Sequence, residues 1–334
     1  MKVATWRGGT EFTIDVAPDP VIKPGLMVVK VDSAGICGTD IHTTQGLYEW
    51  DAPDVLGHEF SGVIVEVGEG VPSSRIGEEV ACVPRAGCGE CDGCRTWTMG
   101  HCERRERRAG AFAEYVMVDQ DAAYPLPEGL SLESSAMAEP AGCALSCVDM
   151  LGPQEEGFDA LVIGTGIIGL FTVAFLKLRG AGRVIASEPH PVRREMARQF
   201  GADVLHDPGE SSLDEVVSDL TDGKGVQVAA EAVGLPALVA KCVQLARPRG
   251  HALIVGVSPR RSPLPVDLFD MHFREISVRG AFGCGNSFRP ALELLPRINL
   301  ENVVGGRYPL DEIDAAFATS AAGEGVKFMM APHD

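Results

Sequence analysis

Ala160-Leu161-Val162-Ile163-Gly164-Thr165-Gly166-Ile167-Ile168-Gly169 is the stretch on which the fold turns. Four apolar residues of strand type run into three glycines spaced G-x-G-x-x-G, and an apolar segment continues without a charge to Leu176. That run is at the short end for a membrane span. A buried strand, a tight turn and a buried helix account for it better. In such a turn the first glycine, Gly164, permits the sharp change of direction, and the second, Gly166, lets the main chain approach a pyrophosphate. The third, Gly169, allows the helix to pack close to the strand. Thr165, Ile167 and Ile168 complete the loop, and the free N–H groups at the helix start favour an anion. Glycine-rich turns are common by themselves; the strand before and the helix after make this one a dinucleotide site.

Downstream, strand-like and helix-like segments alternate. Arg183–Glu188 is followed by a helix from about Pro191 to Phe200, then by strands at Val226–Ala230, His251–Val257 and Ile276–Gly280. This alternation predicts a parallel sheet covered on both faces. Glu188 closes the second strand, where a carboxylate can accept hydrogen bonds from a ribose diol and repel a 2′-phosphate, which favours NAD over NADP. The plainer reading is an acid near a helix N-terminus, and Arg193 and Arg194 offset part of its repulsion. Upstream of Gly157 the pattern changes. Val28–Val31, Gly62–Val67, Glu79–Val83 and Phe112–Val118 are short β-branched runs separated by Gly, Pro and acidic turns. After Gly283 a helical segment, Arg289–Leu295, and a short tail close the chain.

Cys88, Cys91, Cys94 and Cys102 form C-x2-C-x2-C-x7-C in a loop rich in glycine and polar residues. Four thiolates at this density match a closed, tetrahedral structural zinc site, which staples a lobe and does no chemistry. Disulfides are the competing reading. The first residues, MKVATWRGGTEF, hold no apolar stretch of signal-peptide length, so a cytoplasmic protein with reduced thiols is expected. Cys143 and Cys147 fall on a helical stretch and, with Cys82, Cys242 and Cys284, read as buried thiols.

Three further pieces are unremarkable one at a time. Cys37 lies in Gly35-Ile36-Cys37-Gly38-Thr39-Asp40-Ile41-His42, His58-Glu59 lies in Gly57–Gly62, and Glu139 precedes Pro140. A single cysteine is usually a small buried hydrophobe, and spacing alone does not join these residues. Together with the four-cysteine lobe and the glycine turn, however, they occur in the order found in the zinc-dependent medium-chain dehydrogenases. The sequence resembles the sorbitol, threonine and sugar-acid dehydrogenase branch over nearly its whole length.

The resemblance implies an α/β protein: a GroES-like, β-rich catalytic domain over residues 1–147 and 283–334, and a Rossmann doubly wound parallel-sheet domain over 148–282. It implies two zinc ions per chain, one catalytic and one structural, with NAD. The catalytic ion would be held by the residues matching Cys37 and His58, with Glu59 or Glu139 completing the shell. Thr39 and His42 match the proton-relay positions, and Asp40 is expected to orient the ligands by hydrogen bonding. The implied reaction is reversible oxidation of a secondary alcohol (a polyol, sugar derivative or hydroxy acid) to a ketone. L-threonine 3-dehydrogenase is an alternative within the family, and a non-catalytic NAD(P)H-binding protein is one outside it. Relatives form homodimers or homotetramers, so a homo-oligomer is expected.

Bulk composition agrees with two domains, since 334 residues exceed one ordinary core. With 45% apolar and 23% charged residues the chain is of globular type. A net charge of −18 repels phosphate backbones, which argues against a nucleic-acid partner. No membrane association is expected. One local departure from the acidic trend is Cys102-Glu103-Arg104-Arg105-Glu106-Arg107-Arg108, shorter than the corresponding family segment. Its arginines suit either a solvated loop of partly cancelling charges or contacts to an anionic substrate. Tyr48, Glu49 and Trp50 precede the metal histidine where relatives line the substrate pocket.

Overall fold

β-Branched and apolar residues dominate the first strands, and their burial follows from it. In the computed structural model, which describes residues 1–334 except 49, 84–86, 98, 105–109 and 324, the chain divides into two units. They are Met1–Glu139 with Phe288–Asp334, and Pro140–Ser287. In the first, β1 (Lys2–Gly8) and β2 (Glu11–Val16) form an antiparallel hairpin. The long strand β3 (Leu26–Gly35) buries Met27, Val28, Val29 and Val31. After β4 (Asp54–Val55), which pairs with β1, come β5 (Glu59–Val67), β6 (Glu79–Cys82), β7 (Tyr115–Asp119) and β8 (Ala123–Pro125). β3 pairs antiparallel with β5 in a register that sets its last residue, Gly35, opposite the first residue of β5, Glu59.

The second unit has a parallel sheet of β9 (Asp159–Ile163), β10 (Arg183–Ser187), β11 (Val204–His206), β12 (Val226–Glu231), β13 (Ala246–Ile254) and β14 (Ser277–Gly280). The order β11-β10-β9-β12-β13-β14, with every neighbour parallel, reverses direction between β9 and β12. Strands covered on both faces read as continuous apolar runs, and β9 and β10 are each buried at four of five positions. The helix Ile167–Leu178 buries every residue from Gly169 to Leu176, as an all-round apolar sequence demands. The uncharged run from Ala160 is therefore strand, turn and a core helix. Among the described residues no helix is long and apolar enough to cross a membrane.

Two expectations need correction. The strand expected over His251–Val257 ends at Ile254, because Val255 and Gly256 turn their N–H groups onto the carbonyl of Glu231. The short tail is in fact a strand–helix–strand passage of the first unit: β15 (Val304–Tyr308), the helix Ile313–Ala322 and β16 (Lys327–Met330). β16 runs parallel to β15 and antiparallel to β3, placing Met329 opposite Gly35. None of the ten cysteines is in a disulfide.

Candidate active site and metal centres

The end of β3 and the start of β5 bring the dispersed candidate metal ligands together. Past Gly35 the chain enters the short helix Gly38–Thr44 through Cys37, whose extended backbone makes it the N-cap. Its Sγ accepts the Thr39 N–H at 3.4 Å, and Asp40 closes a capping box by accepting the Cys37 N–H at 3.0 Å. The other oxygen of the buried Asp40 lies 3.5 Å from His58 Nδ1. One carboxylate thus fixes both the cysteine and the histidine. Gly57 turns the chain into His58 with φ +93, and a side chain there would strike Phe112.

The donor atoms of Cys37, His58 and Glu59 all lie within 4.8 Å of one another. Glu139 sits buried in the first turn of the helix Ala138–Asp149 and is not part of this convergence. Burial raises the Cys37 thiol, and Glu59 adds to that, while His58 and Lys327 pull the other way. For His58 burial opposes the charge, yet Asp40 and Cys37 outweigh it and hold the ring well above its ordinary range.

Sequence reasoning missed Lys327. It is 1% exposed, as is Glu59, and its Nζ forms an ion pair with Glu59 Oε2 and donates to the Ile36 carbonyl at 2.8 Å. Burial lowers its affinity for a proton, and Glu59, then Cys37, more than restore it. Glu59 Oε1 is buried with no hydrogen-bond partner among the described residues. A Cβ at Gly35 would overlap Glu59 Oε2 and lie 2.6 Å from Lys327 Cε, so the pair fits only against a glycine. A single lysine near the end of a sequence carries no motif; only its apolar surroundings, Val326-Lys327-Phe328-Met329-Met330, hinted at burial.

Thr39 and His42 share the helix Gly38–Thr44, three residues apart and hence neighbours on one side. His42 Nδ1 lies 3.4 Å from the Tyr48 hydroxyl, with the two rings edge to face. Trp50 is exposed and donates to Asp54 at 2.8 Å, and Glu49 lies outside the described residues.

In the cysteine lobe the four thiols also converge within 4.8 Å. The Cys88 N–H points at Cys102 Sγ and the Cys91 N–H at Cys88 Sγ, at 3.4 and 3.3 Å. N–H donors from Glu103 and Cys94 bring the Cys91 thiol down to about 6, while desolvation pushes Cys94 up to about 12. Arg104 lies 3.1 Å from Glu90; Arg105, Glu106, Arg107 and Arg108 are outside the described residues.

At the glycine turn, Gly164 has φ +89, and a Cβ on it would stand 2.5 Å from Val233 Cγ2. A Cβ on Gly169 would overlap the Gly164 carbonyl oxygen. Gly166 differs: it is the N-cap of the helix Ile167–Leu178, and a Cβ there meets nothing within 4 Å. Glu188 is buried behind this turn. Its Oε2 accepts the Thr165 N–H at 2.8 Å and its Oε1 the His190 N–H at 3.0 Å. The Thr165 hydroxyl reaches the carbonyl of Arg193, 3.0 Å away at the start of the helix Pro191–Gln199.

Residues 23–128 match the model of the alcohol dehydrogenase GroES-like domain, and residues 168–297 that of the zinc-binding dehydrogenases. The sorbitol dehydrogenase of Halalkalibacterium halodurans is 32% identical, with 99% of each chain covered. The chain belongs to the zinc-dependent medium-chain dehydrogenases. Another member, the L-threonine 3-dehydrogenase of Pyrococcus abyssi, is also 32% identical, over 97% of this chain and 95% of its own. Among solved structures, a zinc-binding dehydrogenase of Sinorhizobium meliloti bound to NADP superposes with a TM-score of 0.93 at 31% identity, covering 99% of both chains. This medium-chain dehydrogenase is an oxidoreductase of the alcohol and polyol class, with a GroES-like unit and a Rossmann unit.

Proposed function

We propose that the enzyme oxidises a secondary alcohol of polyol or sugar type to the ketone, using NAD, with a catalytic zinc at Cys37, His58 and Glu59. The observation that carries this reading is the convergence of those three donors within 4.8 Å, with the Glu59 Oε1 buried and unpartnered among the described residues. A thiolate, an imidazole and a carboxylate make a three-ligand set of the kind catalytic zinc uses, with one position left for substrate. When bound there, zinc supplies a Lewis acid that lowers the pKa of a substrate hydroxyl, and the nicotinamide supplies the hydride acceptor.

The chain's own residues do the rest. Asp40 holds Cys37 and His58 in register, and Lys327 occupies Oε2 of Glu59, leaving Oε1 without a partner among the described residues. Thr39 and His42 take the hydroxyl proton outward along one side of their helix, His42 ending on the Tyr48 hydroxyl. Glu139, buried at the start of its helix, stays in the same proposal as the alternative to Glu59 for completing the zinc shell. Cys88, Cys91, Cys94 and Cys102 hold a second, structural zinc. At Glu188, a buried carboxylate fixed by two N–H groups supports NAD, since a 2′-phosphate brought beside it meets a charge that cannot move away. The Sinorhizobium meliloti structure was solved with NADP, so both cofactors belong in the test. The enzyme is proposed to work in the cytoplasm as a homodimer or homotetramer.

Zinc content per chain, measured alongside NAD and NADP reduction with polyols, sugar acids and L-threonine, tests the reading. Two zincs with NAD-linked turnover on a polyol support it. One zinc and no turnover on any alcohol rejects the catalytic centre, and a preference for L-threonine moves the substrate to the amino-acid branch.

A further inference from the structure

Five main-chain N–H groups converge on one acidic residue beside the glycine turn. Glu231, the last residue of β12, is fully buried. Its Oε1 accepts from Val233, Gly234 and Leu235 at 2.9, 2.7 and 3.2 Å, and its carbonyl accepts from Val255 and Gly256, both at 2.8 Å. Oε2 is buried with no partner among the described residues. Three N–H groups around one oxygen form an anion nest. The last donor, Leu235, is the N-cap of the helix Pro236–Leu245, so the helix dipole adds to the attraction.

The two loops pinned in this way leave β12 and β13 at the carboxyl edge of the sheet. That edge, where strand order reverses, is where open parallel sheets take their ligands. β12 lies next to β9, with Glu231 opposite Ile163, and the following Ala232 N–H bonds back to the Ile163 carbonyl at 2.9 Å. The very next residue of β9 is Gly164 of the dinucleotide turn. The loops also lock each other: Gly234 leaves 2.5 Å between a would-be Cβ and the Val257 carbonyl oxygen, and a Cβ on Gly256 would overlap the Gly234 nitrogen. They carry three exposed aliphatic side chains, Val233, Leu235 and Val257.

We infer that Glu231 is a positioning residue for the cofactor: its carboxylate holds Val233 and Leu235 as a fixed apolar shelf beside the glycine turn, against which a flat ring of the dinucleotide lies. A shelf of this kind gains affinity by being ordered before binding rather than during it. The inference rests on the proposed nicotinamide cofactor. A neutral amide at position 231 keeps the shape but weakens the charge-assisted bonds to all three donors.

The test is NADH binding by the intact zinc-loaded enzyme, followed by fluorescence. Glu231→Gln is expected to raise the NADH Kd and the KM for NAD by about tenfold or more, equivalent to about 1.4 kcal/mol. Zinc content and the KM for the alcohol at saturating cofactor stay unchanged, which a general loosening of the fold would not allow. If Glu231→Gln does not fold, the double variant Val233→Ala/Leu235→Ala, which removes only exposed side chains, is expected to weaken NADH several-fold at an unchanged Tm. Parent-like NADH affinity in a folded Glu231→Gln, or in the double variant, overturns the inference alone. A parent enzyme that binds neither NADH nor NADPH overturns the cofactor reading and this inference with it.

Discussion

Lys327 Nζ is paired with the carboxylate of Glu59 where neither side chain reaches solvent, 268 residues apart in the chain. Burying two charges costs free energy, and only good geometry with further hydrogen bonds recovers it. Here the Ile36 carbonyl supplies one such bond, and Cys37, next in sequence, lies close enough to feel the ammonium. Lys327→Met keeps the volume and abandons the Glu59 charge, so a loss of about 3–5 kcal/mol is expected. Chemical denaturation should show this as a lowered midpoint, and metal analysis should show loss of one zinc while the cysteine lobe keeps the other.

Gly166 and Gly169 should part company on substitution. Gly169→Ala places a Cβ on the Gly164 carbonyl and forces β9 and its helix apart, so the Rossmann unit should lose stability by about 1–3 kcal/mol. Gly166→Ala meets nothing in the protein and has an ordinary φ of −62, so Tm should hold. If the diphosphate approaches there, its affinity should fall about tenfold or more. Parallel thermal melts and NADH titrations distinguish the two.

Asp40→Asn removes the negative charge shared by the Cys37 N–H and His58. Zinc affinity at the catalytic site should fall about 10–100-fold, as expected when a ligand's hydrogen-bonding partner is altered. Competition with a chromogenic chelator measures it. An affinity within about twofold of the parent would leave Asp40 as a helix cap only, with a cost of about 1 kcal/mol.

Cys91→Ser should reduce zinc by one ion per chain and leave the Cys37 centre loaded. The lobe loses a cross-link whose binding free energy is also folding free energy. The expected signature is faster proteolysis within the lobe, read by mass spectrometry of the fragments, with the Rossmann unit still able to bind NADH.

Much of this architecture is written in contiguous stretches. The G-x-G-x-x-G turn with its own strand and helix spans twenty residues, Asp159–Leu178, and Glu188 directly follows the next strand. Both are dictated by local chain geometry, which sequence periodicity reports directly. The four cysteines lie within fifteen residues of one another, close enough for a small loop to gather them. Family resemblance joined Cys37 to His58 and Glu59; nothing in their spacing did.

What the sequence by itself determined was the fold class, the glycine turn and the cysteine lobe, because each depends on neighbours along the chain. Tertiary structure alone decided how Cys37, His58 and Glu59 meet and which side chains hold them. The antiparallel register that sets Gly35 against Glu59, and β16 laid beside β3, bring Lys327 onto Glu59. In the Rossmann unit, the parallel neighbours β9 and β12 set Glu231 beside the dinucleotide turn in the same way. Strand register is fixed by which faces must be buried across the whole sheet, so no window of sequence around Lys327 or Glu231 could reveal their partners.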